Sequence, residues 1–223
     1  MLKRLPDRDI DPTLRAILEQ ARNATDALEI PFFVGGAMAR DIILTHVFGQ
    51  EVKRATRDVD LGLYLDGWDR FRKLKDVLVA KGLFHTVPGK PHRLHYGYPT
   101  GIPLDLIPFG GIEHPVGEIA WPPGNDVVLN VAGFEDAYRS ALVVDLGGGL
   151  VIRTCALPAL AVLKLIAWHD RRKSSNKDAT DLLFIAQNYA AADNMDRLYQ
   201  SESELMEAVD YNPELAGAYL LGK

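Results

Sequence analysis

Cysteine is almost missing from this chain: Cys155 stands alone among 223 residues. That excludes a disulfide framework and a cysteine-built metal centre. Long apolar runs are missing too, since no stretch approaches the ~20 residues a membrane-crossing helix needs. The opening segment MLKRLPDRDIDPT is polar and has no apolar signal core, so the expectation is a cytoplasmic protein with no membrane partner. A basic surplus is also absent. Lys and Arg number 25 against 30 Asp and Glu, a net charge of −5. This speaks against a protein that coats nucleic acid, although a local basic strip can still hold RNA. No internal repeat or low-complexity segment occurs. His92, His95, His114 and His169 show no metal-ligand spacing.

What remains is ordinary for a globular protein: 48% apolar and 25% charged residues, enough for one good core or two small lobes. The informative stretch is Phe32 to Leu65. In Arg57-Asp58-Val59-Asp60-Leu61-Gly62-Leu63 the apolar residues alternate with Asp58, Asp60 and Gly62. A period of two predicts a strand with Val59, Leu61 and Leu63 buried and both carboxylates on the opposite face. Adjacent unpartnered acids repel, so stability alone does not favour this arrangement. A divalent cation such as Mg²⁺ resolves it, because Mg²⁺ takes carboxylate oxygens and keeps positions for water and phosphate.

Upstream, an apolar strand over 31–34 runs into Gly35-Gly36 and a helical pattern from 37 to 48. Paired glycines let backbone N–H groups approach a phosphate beside a helix N-terminus. The same glycines also suit a tight strand-to-helix turn with no ligand. Arg40-Asp41 reads as a surface pair on the first turns of that helix. A phosphate cradle followed by a carboxylate pair points to phosphoryl or nucleotidyl transfer.

Further along, Asp11-Pro12 reads as a helix start, and Trp68 to Leu78 as a helix ending near Gly82. Strands are expected at 83–87, 93–97 and 102–107. An irregular Gly/Pro-rich excursion is expected over 110–123, and a short helix over 134–142. The segments 142–146 and 150–154 read as a hairpin closed over Gly147-Gly148-Gly149. After Thr154 the pattern is helical: Leu157 to Asp170, Asn176 to Ala191, then short helices to Lys223. The linker 49–56 is polar and basic. Trp68, Trp121 and Trp168 read as core or pocket-wall residues, and Arg171, Arg172, Lys173 and Lys177 as a basic loop.

Lys164 is unusual, because the helix around it, LPALAVLKLIAW, is apolar on nearly every side. A lysine there needs an anion or a route to water. A salt bridge to Asp178 or Asp181 would satisfy it, and so would a substrate phosphate. Asp178 and Asp181 lie three apart and share a helix side. They can orient Lys164, touch a substrate hydroxyl or cap the helix.

Gly35-Gly36 followed by Asp58-x-Asp60 resembles the active-site core of the DNA polymerase β-type nucleotidyltransferase superfamily. That resemblance implies a third carboxylate on a later strand, and Asp105 in Ile102-Pro-Leu-Asp-Leu-Ile-Pro108 is the candidate. Arg54-x-Thr56-Arg57-Asp58-Val59-Asp60, with Lys164 and Lys177-Asp178-x-x-Asp181 downstream, is similar to the AbiEii/AbiGii toxin-type nucleotidyltransferases. The wording IPFGGIE (107–113), WPP (121–123) and KLIAWHDR (164–171) extends the likeness over roughly residues 31 to 190.

The resemblance implies an α/β (α+β) nucleotidyltransferase fold, a small mixed sheet with flanking helices. A catalytic lobe over 1–155 would be followed by a helical lobe over 156–223 that closes the cleft. It implies Asp58, Asp60 and Asp105 around Mg²⁺ or Mn²⁺, Asp105 alternatively serving as base. Gly35, Gly36, Arg57, Lys164, Asp178 and Asp181 would face the nucleoside triphosphate (NTP). The acceptor would be a tRNA end or a protein side chain, and an antitoxin a possible partner. The GG-x-x-x-Arg-Asp spelling also resembles the tRNA CCA-adding enzymes, but with one residue more than their pattern. The competing readings are a small-molecule (aminoglycoside-type) adenylyltransferase and a non-catalytic nucleotide- or partner-binding module on the same fold.

Overall fold

The computed structural model describes residues 1–51, 56–97 and 101–223. Arg54 of the Arg-x-Thr-Arg-Asp motif and the middle of the 49–56 linker lie outside the described residues. The strands are β1 (Leu2–Lys3), β2 (Phe32–Gly35), β3 (Val59–Tyr64), β4 (Phe84–Val87), β5 (Lys90–Tyr96), β6 (Ile102–Phe109), β7 (Glu118–Ala120), β8 (Val128–Asn130), β9 (Leu142–Asp145) and β10 (Val151–Thr154). The helices are α1 (Pro12–Ala27), α2 (Gly36–Asp41), α3 (Trp68–Ala80), α4 (Phe134–Arg139), α5 (Leu157–Arg171), α6 (Lys177–Asn188), α7 (Met195–Tyr199), α8 (Ser203–Glu207) and α9 (Pro213–Gly222).

Eight strands form one mixed sheet in the order β1-β9-β10-β2-β3-β6-β5-β4. The sheet is therefore large, not the small one expected. The difference arises at one edge, where the β9–β10 hairpin pairs through Thr154 with Val34 of β2 and the polar N-terminus adds Leu2–Lys3 beside β9. At the centre β3 runs antiparallel to β2 and parallel to β6, and β5 runs antiparallel to β6. Val59, Leu61 and Leu63 are wholly buried, as a period of two requires. Gly62 admits the Phe33 ring, since an added Cβ would fall 2.3 Å from Phe33 Cε1.

Helix α1 begins as its sequence dictates. The Asp11 carboxylate accepts from the Thr13 and Leu14 amides, and Pro12 takes the first helical position. Leu14, Ile17, Leu18 and Ala21 supply its buried stripe. The helical pattern after Gly36 is not uniform: α2 gives way to a π-helical turn over Ile42–Val47, where the Phe48 amide reaches the Ile43 carbonyl. The excursion over 110–123 is also more ordered than expected. Its residues Glu118–Ala120 pair with Val128–Asn130 as a separate two-stranded sheet. Trp121 anchors it, packing on Trp68 and Phe71 of α3 at ring distances of 4.9 and 5.1 Å. Trp168, by contrast, lies at the surface under the Arg172 guanidinium. Beyond Thr154 the chain is helical to its end, with α5 against α6 and α6 against α9. Among the described residues no helix is long and apolar enough to cross a membrane.

Candidate active site

Register brings the acids together. Asp60 of β3 is the direct partner of Asp105 on β6, and across the next pair Arg93 of β5 is the partner of Asp105. Asp60 is also opposite Gly35 of β2. Side chains at matched positions of neighbouring strands leave the same sheet face, so Asp60, Asp105 and Arg93 all open onto one cleft of about 700 Å³. Gly35, Gly36, His92, Lys164, Arg171 and Asp178 also line it, as do Glu118, Asn130 and Asp170.

The glycine turn is tied to the carboxylate beneath it. Gly36 adopts φ +59°, and an added Cβ there would fall 1.7 Å from Asp60 Oδ2. Both facts require glycine at this position. Gly35 is under less constraint, because its Cβ would make only ordinary contacts, with Phe33 at 3.6 Å and the Asp60 carbonyl at 3.9 Å.

The three acids are held differently. Asp60 has no hydrogen-bond donor among the described residues. Burial, then the charges of Asp58 and Asp105, raise its pKa to about 6. Asp105 is buried, and both its oxygens sit in the Arg93 fork, Nε to Oδ1 and Nη2 to Oδ2 at 2.6 Å each. That carboxylate in turn raises the Arg93 pKa, chiefly through these bonds. Asp58 precedes β3 and is not among the residues lining the cleft. Burial pushes its pKa upward, but the Thr56 hydroxyl at 2.8 Å and the Lys177 ammonium at 3.2 Å outweigh this and leave it low. The pKa of the neighbouring His92 ring is lowered, mainly by burial.

Among the described residues no three His, Cys, Asp or Glu side chains are placed to hold a metal ion together. The donor chemistry nevertheless suits one. Asp58, Asp60 and Asp105 offer hard carboxylate oxygens, and the raised pKa of Asp60 marks a negative charge that no neighbouring donor satisfies. In this arrangement Lys177 and Arg93 stand as the counter-charges of the outer two acids.

Lys164 is buried on α5 and opens onto the cleft, with its ammonium 2.5 Å from Asp181 Oδ2 and 3.2 Å from Asp178 Oδ1. The two readings of this lysine are thus compatible, since it is ion-paired and still faces the cleft. Arg171 grips the second oxygen of Asp178 at 2.8 Å. Asp181 lies behind Lys164 and is not among the lining residues.

One predicted residue lies apart from the cleft, and one expectation needs correction. Arg57 is exposed and does not line the cleft, because it precedes β3 and escapes the register that orients Asp60. Arg40 and Asp41 are not a surface pair. Both are buried, bonded to each other, and Arg40 reaches Asp181. A helix covered by α5 has no solvent face at that point, and each charge there finds a partner. Sequence reasoning assigned no role in the site to Arg93, His92, Glu118, Asn130 and Asp170, and it read Lys177 only within the family-like motif and the basic loop. Arg93 left a trace as one polar residue of a strand whose pairing partner could not be known.

A family model described as nucleotidyl transferase AbiEii toxin, type IV TA system, matches residues 17–210. Among solved structures the chain is similar to an antigenic nucleotidyltransferase-like protein from Paracoccidioides brasiliensis, with 14% identity, TM-score 0.53, and 92% of this chain and 95% of that one covered. It is also similar to the antibiotic-resistance factor ANT(2'')-Ia in solution, with 15% identity, TM-score 0.49, and 91% and 99% covered. A crystal structure of ANT(2'')-Ia with adenylyl-2''-tobramycin gives 15% identity, TM-score 0.46, and 78% and 88% covered. No curated protein matches. The first of these structures establishes a likeness of fold.

Proposed function

The chain belongs to the AbiEii nucleotidyltransferase toxin family, and from that premise we propose that it moves a nucleoside monophosphate from an NTP to an acceptor hydroxyl, with divalent metal bound and pyrophosphate released. The observation that carries this reading is the convergence of Asp60, Asp105 and Lys164 on one cleft under the Gly36 turn.

Asp58, Asp60 and Asp105 are the residues that would hold Mg²⁺ or Mn²⁺. Bound there, the metal would supply neutralisation of phosphate charge and a lower pKa for the attacking hydroxyl. Lys164 presents an ammonium to the triphosphate, and the Gly35-Gly36 turn keeps side chains out of its path. Asp178 orients Lys164 from the cleft wall, and Asp181 does so from behind. Asp105 serves as a metal ligand or as base toward the acceptor hydroxyl, and for either role it must share an oxygen that Arg93 now occupies. Residues 1–155 act as the catalytic lobe and 156–223 as the helical lobe closing the cleft.

The acceptor is a tRNA end or a protein side chain, and the protein acts as a toxin restrained by an antitoxin, in keeping with the family's description as the toxin of a type IV system. The test is incubation with Mg²⁺ and each α-phosphate-labelled NTP, offering total RNA, cell protein and small hydroxyl compounds as acceptors. Label should enter RNA or protein, and Asp60→Asn should abolish this while folding normally. Label entering only the small compounds would replace the toxin reading with an adenylyltransferase of small molecules. No transfer to any acceptor would leave a binding module.

A further inference from the structure

Lys164 carries three N–H donors, and Asp178 and Asp181 each take one. One donor is left for whatever enters the cleft. Each of these carboxylates also gives its second oxygen to a guanidinium: Asp178 to Arg171, and Asp181 to Arg40. Arg40 comes from α2, directly after the Gly36 turn, and its Nε and Nη2 both hold Asp41 Oδ1 at 2.8 and 2.6 Å. Asp41 Oδ2 accepts the Thr56 amide at 3.0 Å, and the Thr56 hydroxyl reaches Asp58 at 2.8 Å. A continuous polar chain therefore joins Asp58 to Lys164, with Arg40 in its middle.

The charges joined here balance: buried Arg40 and Lys164 with exposed Arg171, against buried Asp41, Asp178 and Asp181. Without Arg40 two carboxylates lose their guanidinium, and the ammonium of Lys164 becomes the counter-charge that Asp181 has left. An ammonium so engaged is a weaker partner for an incoming phosphate.

We propose that Arg40 is a positioning residue for nucleotide binding: by sharing Asp181 with Lys164 it leaves the lysine's charge and third donor available to the triphosphate. The proposal rests on the nucleotidyltransferase reading of the cleft. A purely structural ion pair would instead matter only for folding.

The experiment is a double-mutant cycle read as binding of ribose-labelled fluorescent ATP, GTP, CTP and UTP with Mg²⁺, using the NTP the unaltered protein binds best. Arg40→Gln should weaken that NTP about tenfold, whereas in a Lys164→Met background the same change should cost less than about twofold. Circular dichroism confirms folding of each variant. Should Arg40→Gln fail to fold, Arg40→Lys keeps the charge but loses the fork, and the same cycle applies. Equal losses with and without Lys164, or no loss in the unaltered background, would overturn the proposal. An unaltered protein that binds its NTP but transfers nothing would sink the enzymatic reading and leave Arg40's role standing, while one that binds no NTP overturns both.

Discussion

Asp60 and Asp105 are direct register partners on adjacent parallel strands, β3 and β6, so their carboxylates leave the sheet side by side on the same face. Nothing in the packing of the core demands this. The charge it places there is costly.

Substituting Asp60→Asn should stabilise the protein in metal-free solution. The folded pKa of about 6 lies above the ordinary carboxylate value of 3.8, so the folded state holds this proton more tightly than the unfolded chain does. The corresponding stability is fully present below about pH 4 and is lost as pH rises through about 6. By pH 7 the loss is on the order of 2–3 kcal/mol. Urea unfolding should show the variant ahead at pH 7 and level with the parent near pH 4. A variant less stable at pH 7 would contradict the assignment.

Metal affinity should follow the same titration. If Asp60 helps to hold Mg²⁺ or Mn²⁺, its proton must leave first, so affinity should fall about tenfold per pH unit below about 6. Calorimetry in two buffers of different ionisation enthalpy should detect proton release at pH 5.5 and little at pH 8. Affinity independent of pH would remove Asp60 from the ligand set.

Gly36→Ala and Gly35→Ala should differ sharply. The first places a Cβ on Asp60 Oδ2 at a positive φ, and the second meets only ordinary contacts with Phe33 and the Asp60 carbonyl. Gly36→Ala should cost about 1–3 kcal/mol of stability and abolish transfer, while Gly35→Ala should change stability by less than about 1 kcal/mol. Thermal melts and initial rates measured together check both.

Two lysines near the site should also separate. Lys177 pairs with Asp58 in a partly exposed setting, whereas Lys164 is buried between two aspartates. Lys177→Ala should alter stability by no more than about 0.5 kcal/mol. Lys164→Met, which leaves two buried acids short of a cation, should cost about 3 kcal/mol and raise KM for the NTP.

Much of the site was legible because its signals are local. The alternation around Asp60, the glycines before a helix, and a lysine in an otherwise apolar helix are each read within about ten residues. Arg93 was not legible as a site residue, nor Lys177 as the partner of Asp58, since these pairs lie 12 and 119 residues apart along the chain. Arg40-Asp41 was misread for a related reason. Two adjacent charges on a short helix ordinarily face water, and here the cover of α5, with Asp181 and Phe184 of α6 on Arg40, reverses this.

By itself the sequence determined which residues carry charge, which strand buries Val59, Leu61 and Leu63, where glycine interrupts the chain, and where α1 starts, because these depend on neighbours a few positions apart. Only the tertiary structure decided that Asp105 aligns with Asp60 in a sheet of eight strands, that Arg93 closes over it, and that Arg40 joins α2 to α6 through Asp181. Strand register and helix docking are settled by contacts between segments far apart in the chain, and no local pattern contains them.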